Sequence, residues 1–175
     1  HKIYWQAAAA VLLLISGFIA GYGLKGQRTE NQQSDQLTKM QQDVGELKKM
    51  MALNLLKDGS ASERIKAVNY TEEIPLPGED VIDALITTLN QDNNSNVRLA
   101  SIYSLARFKN VPKVKNAFLH TLNQQEDPMI QIVIINILVE TEDVRAVNEL
   151  NKLLEKKELN QDVKEHAEKS LKILI

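Results

Sequence analysis

The chain has 175 residues, 43% hydrophobic and 25% charged, with a formal net charge of -2, a composition typical of a folded protein and not of a disordered tail. It contains no Cys, which excludes disulfides, thiolate zinc sites and cysteine nucleophiles. Lys and Arg number 21 against 23 Asp and Glu, so there is no basic excess and we expect no nucleic-acid partner. With 7 Gly, 4 Pro and 5% aromatic residues, long helices are favoured over a many-turned β-sandwich.

The first element is an apolar stretch over residues 3–24, which contains no charged side chain. As a helix it would extend about 33 Å, enough to cross a hydrocarbon core of about 30 Å. Tyr4, Trp5 and Tyr22 lie at its ends, where aromatic rings favour the membrane interface. We predict a single transmembrane helix here. A cleaved signal peptide, with a mature N-terminus near Leu24, is the alternative.

Gly17 and Gly21 form a GxxxG pair within this span. Such spacing lets two helix backbones approach closely, which predicts weak self-association through the membrane helix. Small residues are also common in membrane helices for ordinary packing reasons.

A polar juxtamembrane linker over residues 25–36 leads into a heptad-like series of apolar residues. The series steps by three, four, three and four residues, through Leu37, Met40, Val44, Leu47 and Met51. It indicates either a short coiled coil or a helix that packs its C-terminal half on the following domain. We favour packing for that half, where the series continues into Leu55 and Leu56, so that a repeat domain over residues 37–175 begins with a helix continuous with the stalk.

Asp58 and Gly59 end this first helix, with Gly59 in a left-handed closing conformation, and Ser60 to Glu63 have the spacing of a capping box. A second helix therefore follows as a hairpin.

From this point the pattern repeats. Thr88-Leu89-Asn90-Gln91 recurs as Thr121-Leu122-Asn123-Gln124, and Val97, Ile130 and Val163 share the same spacing. Each repeat contains an amphipathic helix, a polar turn and a second helix. A fixed period of helix pairs predicts an all-α fold, a short right-handed α-solenoid of about four pairs.

The turn and second helix of one pair read DNNSNVRLASIYSLARF. Asp92 and Arg98 in this segment resemble the ladder positions of HEAT repeats, where side chains of stacked units bond to one another. Arg64 matches in the first pair, whereas Gln131 and Lys164 replace Arg in the later ones. The second helices of such arrays line the concave side, which makes Arg64, Arg98 and Tyr103 candidate contacts for a protein partner. Bonding between repeats is the favoured interpretation for the two arginines.

A broader resemblance covers almost the whole chain. The order of apolar span, stalk with MMALNLLKDGSASERIKAVNY, and helix pairs is similar to the C-terminal part of membrane-bound bacterial regulators related to anti-sigma factors with HEAT repeats. That family implies a cytoplasmic zinc-binding domain upstream, and we expect this chain, which starts at His1, to lack it. The resemblance implies that the repeats are the extracytoplasmic half of a sigma-factor regulator in the bacterial inner membrane. A structural membrane-anchored platform and a secreted repeat domain are the alternatives.

No motif predicts catalysis. The three His residues lie on separate elements without Cys or H-E-x-x-H spacing, and neither a P-loop nor a Gly-rich dinucleotide turn occurs. The sequence therefore predicts a non-enzymatic protein with no metal and no cofactor.

Overall fold

The computed structural model of the chain describes residues 15, 16, 18, 36–57, 59–74 and 78–175. Within these ranges the chain forms helices, turns and loops, with no β-strand. It divides into two compact units, His1–Glu46 and Leu47–Ile175, and the second unit contains the helix pairs. The all-α prediction is confirmed for the described residues.

The helices of the described ranges can be numbered in the order of the chain, beginning with α1 over residues 36–57. The others are α2 (Ala61–Glu72), α3 (Glu79–Gln91), α4 (Ser95–Ala106), α5 (Pro112–Leu122), α6 (Pro128–Glu140), α7 (Arg145–Leu154) and α8 (Gln161–Leu174).

The predicted membrane span and its linker lie almost wholly outside the described residues. Ile15, Ser16 and Phe18 are the described positions of the span, and all three are helical. Gly17 and Gly21 lie outside the described residues. In the part of the chain that is described, no helix is both long enough and apolar enough to cross a bilayer. The membrane span therefore stays a prediction.

The C-terminal half of α1 packs through a different stripe from the one predicted. Leu47 and Met51 of the heptad-like series stay exposed, whereas Ala52 and Leu56 are buried in the core. Successive helical residues point about 100° apart, so Ala52 faces away from the side that carries Met51. The predicted packing is thus wrong for Leu47 and Met51 and right for Leu56.

The helix pairs stack in two layers. The second helices α2, α4, α6 and α8 contact one another in succession, as do the first helices α3, α5 and α7. Five positions are buried in both α4 and α6. In α4 they are Val97, Ser101, Ile102, Ser104 and Leu105, and the matching residues of α6, in the same order, are Ile130, Ile134, Ile135, Ile137 and Leu138. This arrangement is that of an α-solenoid, while its right-handed sense stays a prediction.

Each second helix begins with a side-chain cap. The predicted capping box is present, because Ser60 accepts a hydrogen bond from the Glu63 N–H and the Glu63 carboxylate accepts one from the Ser60 N–H. Asn94, Asp127 and Asn160 cap α4, α6 and α8, and each accepts hydrogen bonds from two backbone N–H groups of the first turn. These side chains satisfy backbone N–H groups that have no partner within the helix, which fixes where each second helix starts.

Gly59, between α1 and α2, does not have the predicted left-handed conformation. None of the described glycines has a positive φ. A close approach explains the glycine instead, because an added Cβ would lie 2.5 Å from the Leu55 carbonyl oxygen and 2.9 Å from the Glu63 Cβ. The turn is too tight for a side chain.

Gly59→Ala should therefore lower the free energy of unfolding by about 1–3 kcal/mol, the usual cost of inserting a methyl group into a packed site. Gly45 is the matched control, because a Cβ added there meets no atom within 4 Å. Gly45→Ala should leave stability unchanged or raise it by up to about 1 kcal/mol through helix propensity. Urea unfolding measures both, and equal effects of the two changes would contradict the close-approach explanation.

Candidate functional site

Arg64 and Asp92 link the first helix pair to the second. Arg64 lies on α2 and Asp92 directly follows α3, and the Arg64 Nε and Nη2 donate to the two Asp92 carboxylate oxygens at 2.5 and 2.8 Å. The Arg64 Nη1 also donates to the Gly59 carbonyl oxygen at 2.6 Å. The two side chains are only 20% and 6% exposed. Paired bonds between a guanidinium and a carboxylate are among the stronger hydrogen bonds in proteins.

The environment of Asp92 favours its ionised form. Burial of the carboxylate opposes ionisation, but hydrogen bonds from Arg64 and from the Asn94 N–H outweigh it and hold the pKa of Asp92 below its ordinary value. The same pair raises the pKa of Arg64 through the hydrogen bond to Asp92. Both groups are therefore charged near neutral pH.

Arg98 takes the equivalent position on α4 but has a weaker set of partners. Its Nη1 donates to the Asp92 carbonyl oxygen at 2.8 Å and its Nη2 to the Ser95 Oγ at 3.1 Å. The Asp127 carboxylate lies 3.8 Å from the Arg98 Nη2. The Arg98 Nε is buried and has no hydrogen-bond partner. Arg98 thus lacks the paired bonds that Arg64 makes.

A change of residue type in the third pair explains this difference. Gln125 takes the place of Asp92 one repeat later, where the next ladder carboxylate would lie. Its amide Nε2 donates back to the Leu89 carbonyl oxygen at 3.3 Å, and the Gln131 Nε2 donates to the Gln125 carbonyl oxygen at 2.8 Å. The ladder therefore continues as neutral amide bonds between Gln side chains and the backbone. Lys164, the equivalent residue of α8, is exposed.

Tyr103 lies on the side of α4 that faces solvent, with 54% of its surface exposed. Leu99 and Ala100, one turn before it, are half-buried. Because α6 repeats α4 in the next pair and contacts it, the corresponding side of α6 continues this surface. We call it the α4–α6 face, and it consists of Leu99, Ala100, Tyr103, Met129, Ile132 and Val133.

The α6 part of this face was missed from the sequence. Residues 129–139 are apolar almost all round, a pattern that predicts cover by the neighbouring repeats on every side. Met129 is nevertheless 63% exposed, and Ile132 and Val133 are only half-buried. Comparison of Ile132 and Val133 with Leu99 and Ala100 at the repeat spacing is the signal that would have revealed the surface.

Polar contacts lie at the C-terminal ends of α4 and α6 and on the α8 side of the α4–α6 face. Lys109 pairs with Glu140 at 2.6 Å, and Arg107 donates to the Glu72 carbonyl oxygen. His166 of α8 contacts the Asn136 Oδ1 at 2.6 Å. A polar rim around an apolar centre is the usual composition of a protein-binding surface.

A cleft of about 440 Å³ lies beside the Arg64–Asp92 pair, between the end of α1 and α3. Its lining includes Leu53, Leu56 and Thr88, without a His. Among the described residues, no group of His, Asp and Glu is placed to hold a metal ion. Arg64 and Asp92 of this lining already bind each other.

The structure thus separates the predicted site residues into two places. Arg64, Asp92 and Arg98 meet at the turns between first and second helices, where they bond within and between repeats. Tyr103 belongs to the α4–α6 face. Contact of any of these residues with a partner stays a prediction.

Comparison with known proteins gives one family. A profile described as HEAT repeats matches residues 82–172, more than half of the chain. The match begins within α3 and ends within α8, so it covers the second, third and fourth helix pairs. No curated protein sequence matches the chain.

Asp92→Asn should destabilise the chain by about 2 kcal/mol at pH 7, because it replaces charge-assisted bonds to Arg64 with neutral ones. A carboxylate with a lowered folded pKa contributes stability above its unfolded pKa of about 3.9, and this contribution is lost as pH falls through the folded value. The difference in unfolding free energy between the native chain and the variant should therefore shrink below about pH 4.

Urea unfolding over a series of pH values measures this difference. Glu168→Gln on the exposed side of α8 is the control and should stay close to the native chain at every pH. A difference for Asp92→Asn that does not change with pH would show that the Arg64 pairing is not its source.

Proposed function

This chain belongs to the HEAT-repeat family, and from that membership we propose that it is a non-enzymatic scaffold that binds a protein partner on the α4–α6 face. HEAT repeats generally mediate protein interactions. The observation that carries the proposal is the exposure of Tyr103 and Met129 on one apolar surface of adjacent second helices. Tyrosine and methionine are enriched at protein interfaces, where such side chains anchor a partner.

The polar surroundings support this choice of surface. The α8 residues equivalent to Leu99, Ala100 and Tyr103 are Glu165, His166 and Lys169, so the apolar surface stops before the last helix. A binding surface needs such an end, because a longer exposed apolar stripe would promote aggregation. Arg64 and Arg98 are mostly occupied within the array, which makes them supports of the scaffold in this proposal.

We further propose that the chain is the extracytoplasmic half of a single-pass regulator of a sigma factor in the bacterial inner membrane. Two sequence features support this finer proposal. One is the uncharged apolar stretch over residues 3–24, long enough to cross a bilayer. The other is the resemblance of span, stalk and helix pairs to membrane-bound regulators related to anti-sigma factors.

The partner surface is tested by capture from an extract of the source cells with the purified, immobilised chain. Tyr103→Glu and Met129→Glu should each reduce capture of the partner about 10-fold or more, since each places a charge in the centre of the interface. Val144→Glu is the matched control, because Val144 is an exposed apolar residue before α7 and outside the face. Equal capture by all three variants would place the interface elsewhere.

The membrane orientation is tested by cysteine labelling, since the chain has no native Cys. Glu168→Cys, on exposed α8, should react with a membrane-impermeant maleimide in intact cells. Lys2→Cys, on the other side of residues 3–24, should react only after lysis. Recovery of the chain in the soluble fraction, or the reverse labelling pattern, would overturn the proposed topology.

A further inference from the structure

The exposed side of α1 carries five apolar residues at heptad spacing. Leu37, Met40, Val44, Leu47 and Met51 are between 49% and 64% exposed. The repeat domain packs on Ala52 and Leu56, so its own core does not account for the series. Five such residues at regular spacing on one helix form a stripe about 21 Å long, at 1.5 Å per residue. We call this stripe the α1 seam.

We propose that a second copy of this chain covers the α1 seam, as a parallel, in-register, two-stranded coiled coil over residues 37–51. Leu37, Val44 and Met51 take the first apolar position of the heptad, and Met40 and Leu47 take the second. A β-branched residue at the first position with Leu at the second favours two strands, and the central heptad has this pair in Val44 and Leu47.

Charges beside the seam select the parallel orientation. In this register Asp43 and Lys48 lie on opposite flanks, and in a parallel pair Asp43 of one copy lies beside Lys48 of the other. In an antiparallel pair the Asp43 flanks of the two copies would instead face each other, as would the Lys48 flanks, and the Asp43–Lys48 contact between copies would be lost.

The existing contacts of Lys48 are compatible with this pairing. Lys48 contacts Glu73 within its own chain, but the two side chains are 44% and 54% exposed. An exposed ammonium group keeps donors for a second carboxylate. Gly45 would weaken the helix packing if it were part of the seam, but it lies on the opposite side of the helix. An added Cβ there meets no atom within 4 Å.

This proposal is independent of the proposed partner binding, because the α1 seam shares no residue with the α4–α6 face. Loss of partner capture through Tyr103→Glu would leave the dimer intact. Loss of the dimer would in turn leave the α4–α6 face unchanged. The two proposals can therefore fail separately.

Disulfide cross-linking of the full chain tests the seam, its orientation and its register together. Leu37→Cys and Met51→Cys, at its two ends, should each form disulfide dimers when oxidised with copper phenanthroline. An equimolar mixture of the two variants should contain no mixed Leu37→Cys/Met51→Cys dimer. Gln42→Cys, on the outer side of α1, is the matched control and should stay at least 10-fold less cross-linked.

Val44→Glu adds a charge to the seam without disturbing a packed residue, because Val44 is 51% exposed. When Val44→Glu is introduced into the Leu37→Cys chain, we expect the loss of most of the cross-linked dimer and no change in the thermal midpoint of the monomer. Gln42→Glu is the control and should change neither the amount of cross-linked dimer nor the thermal midpoint. If the mixture of Leu37→Cys and Met51→Cys chains formed mixed dimers and neither variant formed dimers by itself, the pair would be antiparallel and the proposal would be overturned. Cross-linking that is absent, or unaffected by Val44→Glu, would overturn it as well.

Discussion

Val97, Ile130 and Val163 take one position in three successive helix pairs, and each is almost completely shielded from water. A single pair of short helices cannot shield both faces of its second helix. A neighbouring pair, packed at the same spacing, covers the other side. The turns, the caps and the ladder then have to repeat with the same period, because each serves a helix whose position the stacking has already fixed. This dependence on neighbours is the reason that the polar and the apolar features of the chain recur at nearly the same spacing.

The polar bonds at the turns between first and second helices differ from pair to pair, although the stacking of the helices is the same. Between the first and second pairs it is an ion pair, Arg64 with Asp92, while in the third pair Gln125 and Gln131 bond to backbone carbonyls instead. Both solutions satisfy buried polar groups, which would otherwise cost stability. Their responses to pH differ, since only the carboxylate can gain a proton when the pH falls below its ordinary pKa of about 3.9. Arg98 has one buried N–H without a partner where the two solutions meet.

The sequence was a good guide wherever a local rule decided the outcome. The capping residues Ser60, Asp127 and Asn160 act on backbone groups two or three residues away, so their effect can be inferred without knowing the fold. The exposure of a side chain, in contrast, depends on residues that are distant in the sequence. The apolar pattern of Leu47 and Met51 indicates a buried stripe whatever covers it, and the contacts of the neighbouring helices decide that Ala52 is buried instead. The reason for Gly59 could not be predicted either, because the close approach of the Leu55 carbonyl oxygen is visible only in the folded turn. The sequence indicated Gln131 only as the loss of an Arg, because its bond to the Gln125 carbonyl oxygen depends on the folded turn of the third pair.

The α4–α6 face extends this argument to function. In a solenoid the buried side of each second helix is constrained by its neighbours, whereas the most exposed positions of the opposite side contribute little to stacking and can be polar at little cost. The last helix follows that expectation, with Glu165, His166 and Lys169 at the three positions. In α4 the same positions hold Leu99, Ala100 and Tyr103, and in α6 they hold Ile132, Val133 and Asn136. Ala100, Ile132 and Val133 also pack partly against the core, so stacking accounts for part of their apolar character. Tyr103 and Met129 are mostly exposed, and a protein partner that shields them from water supplies a reason for their apolar side chains.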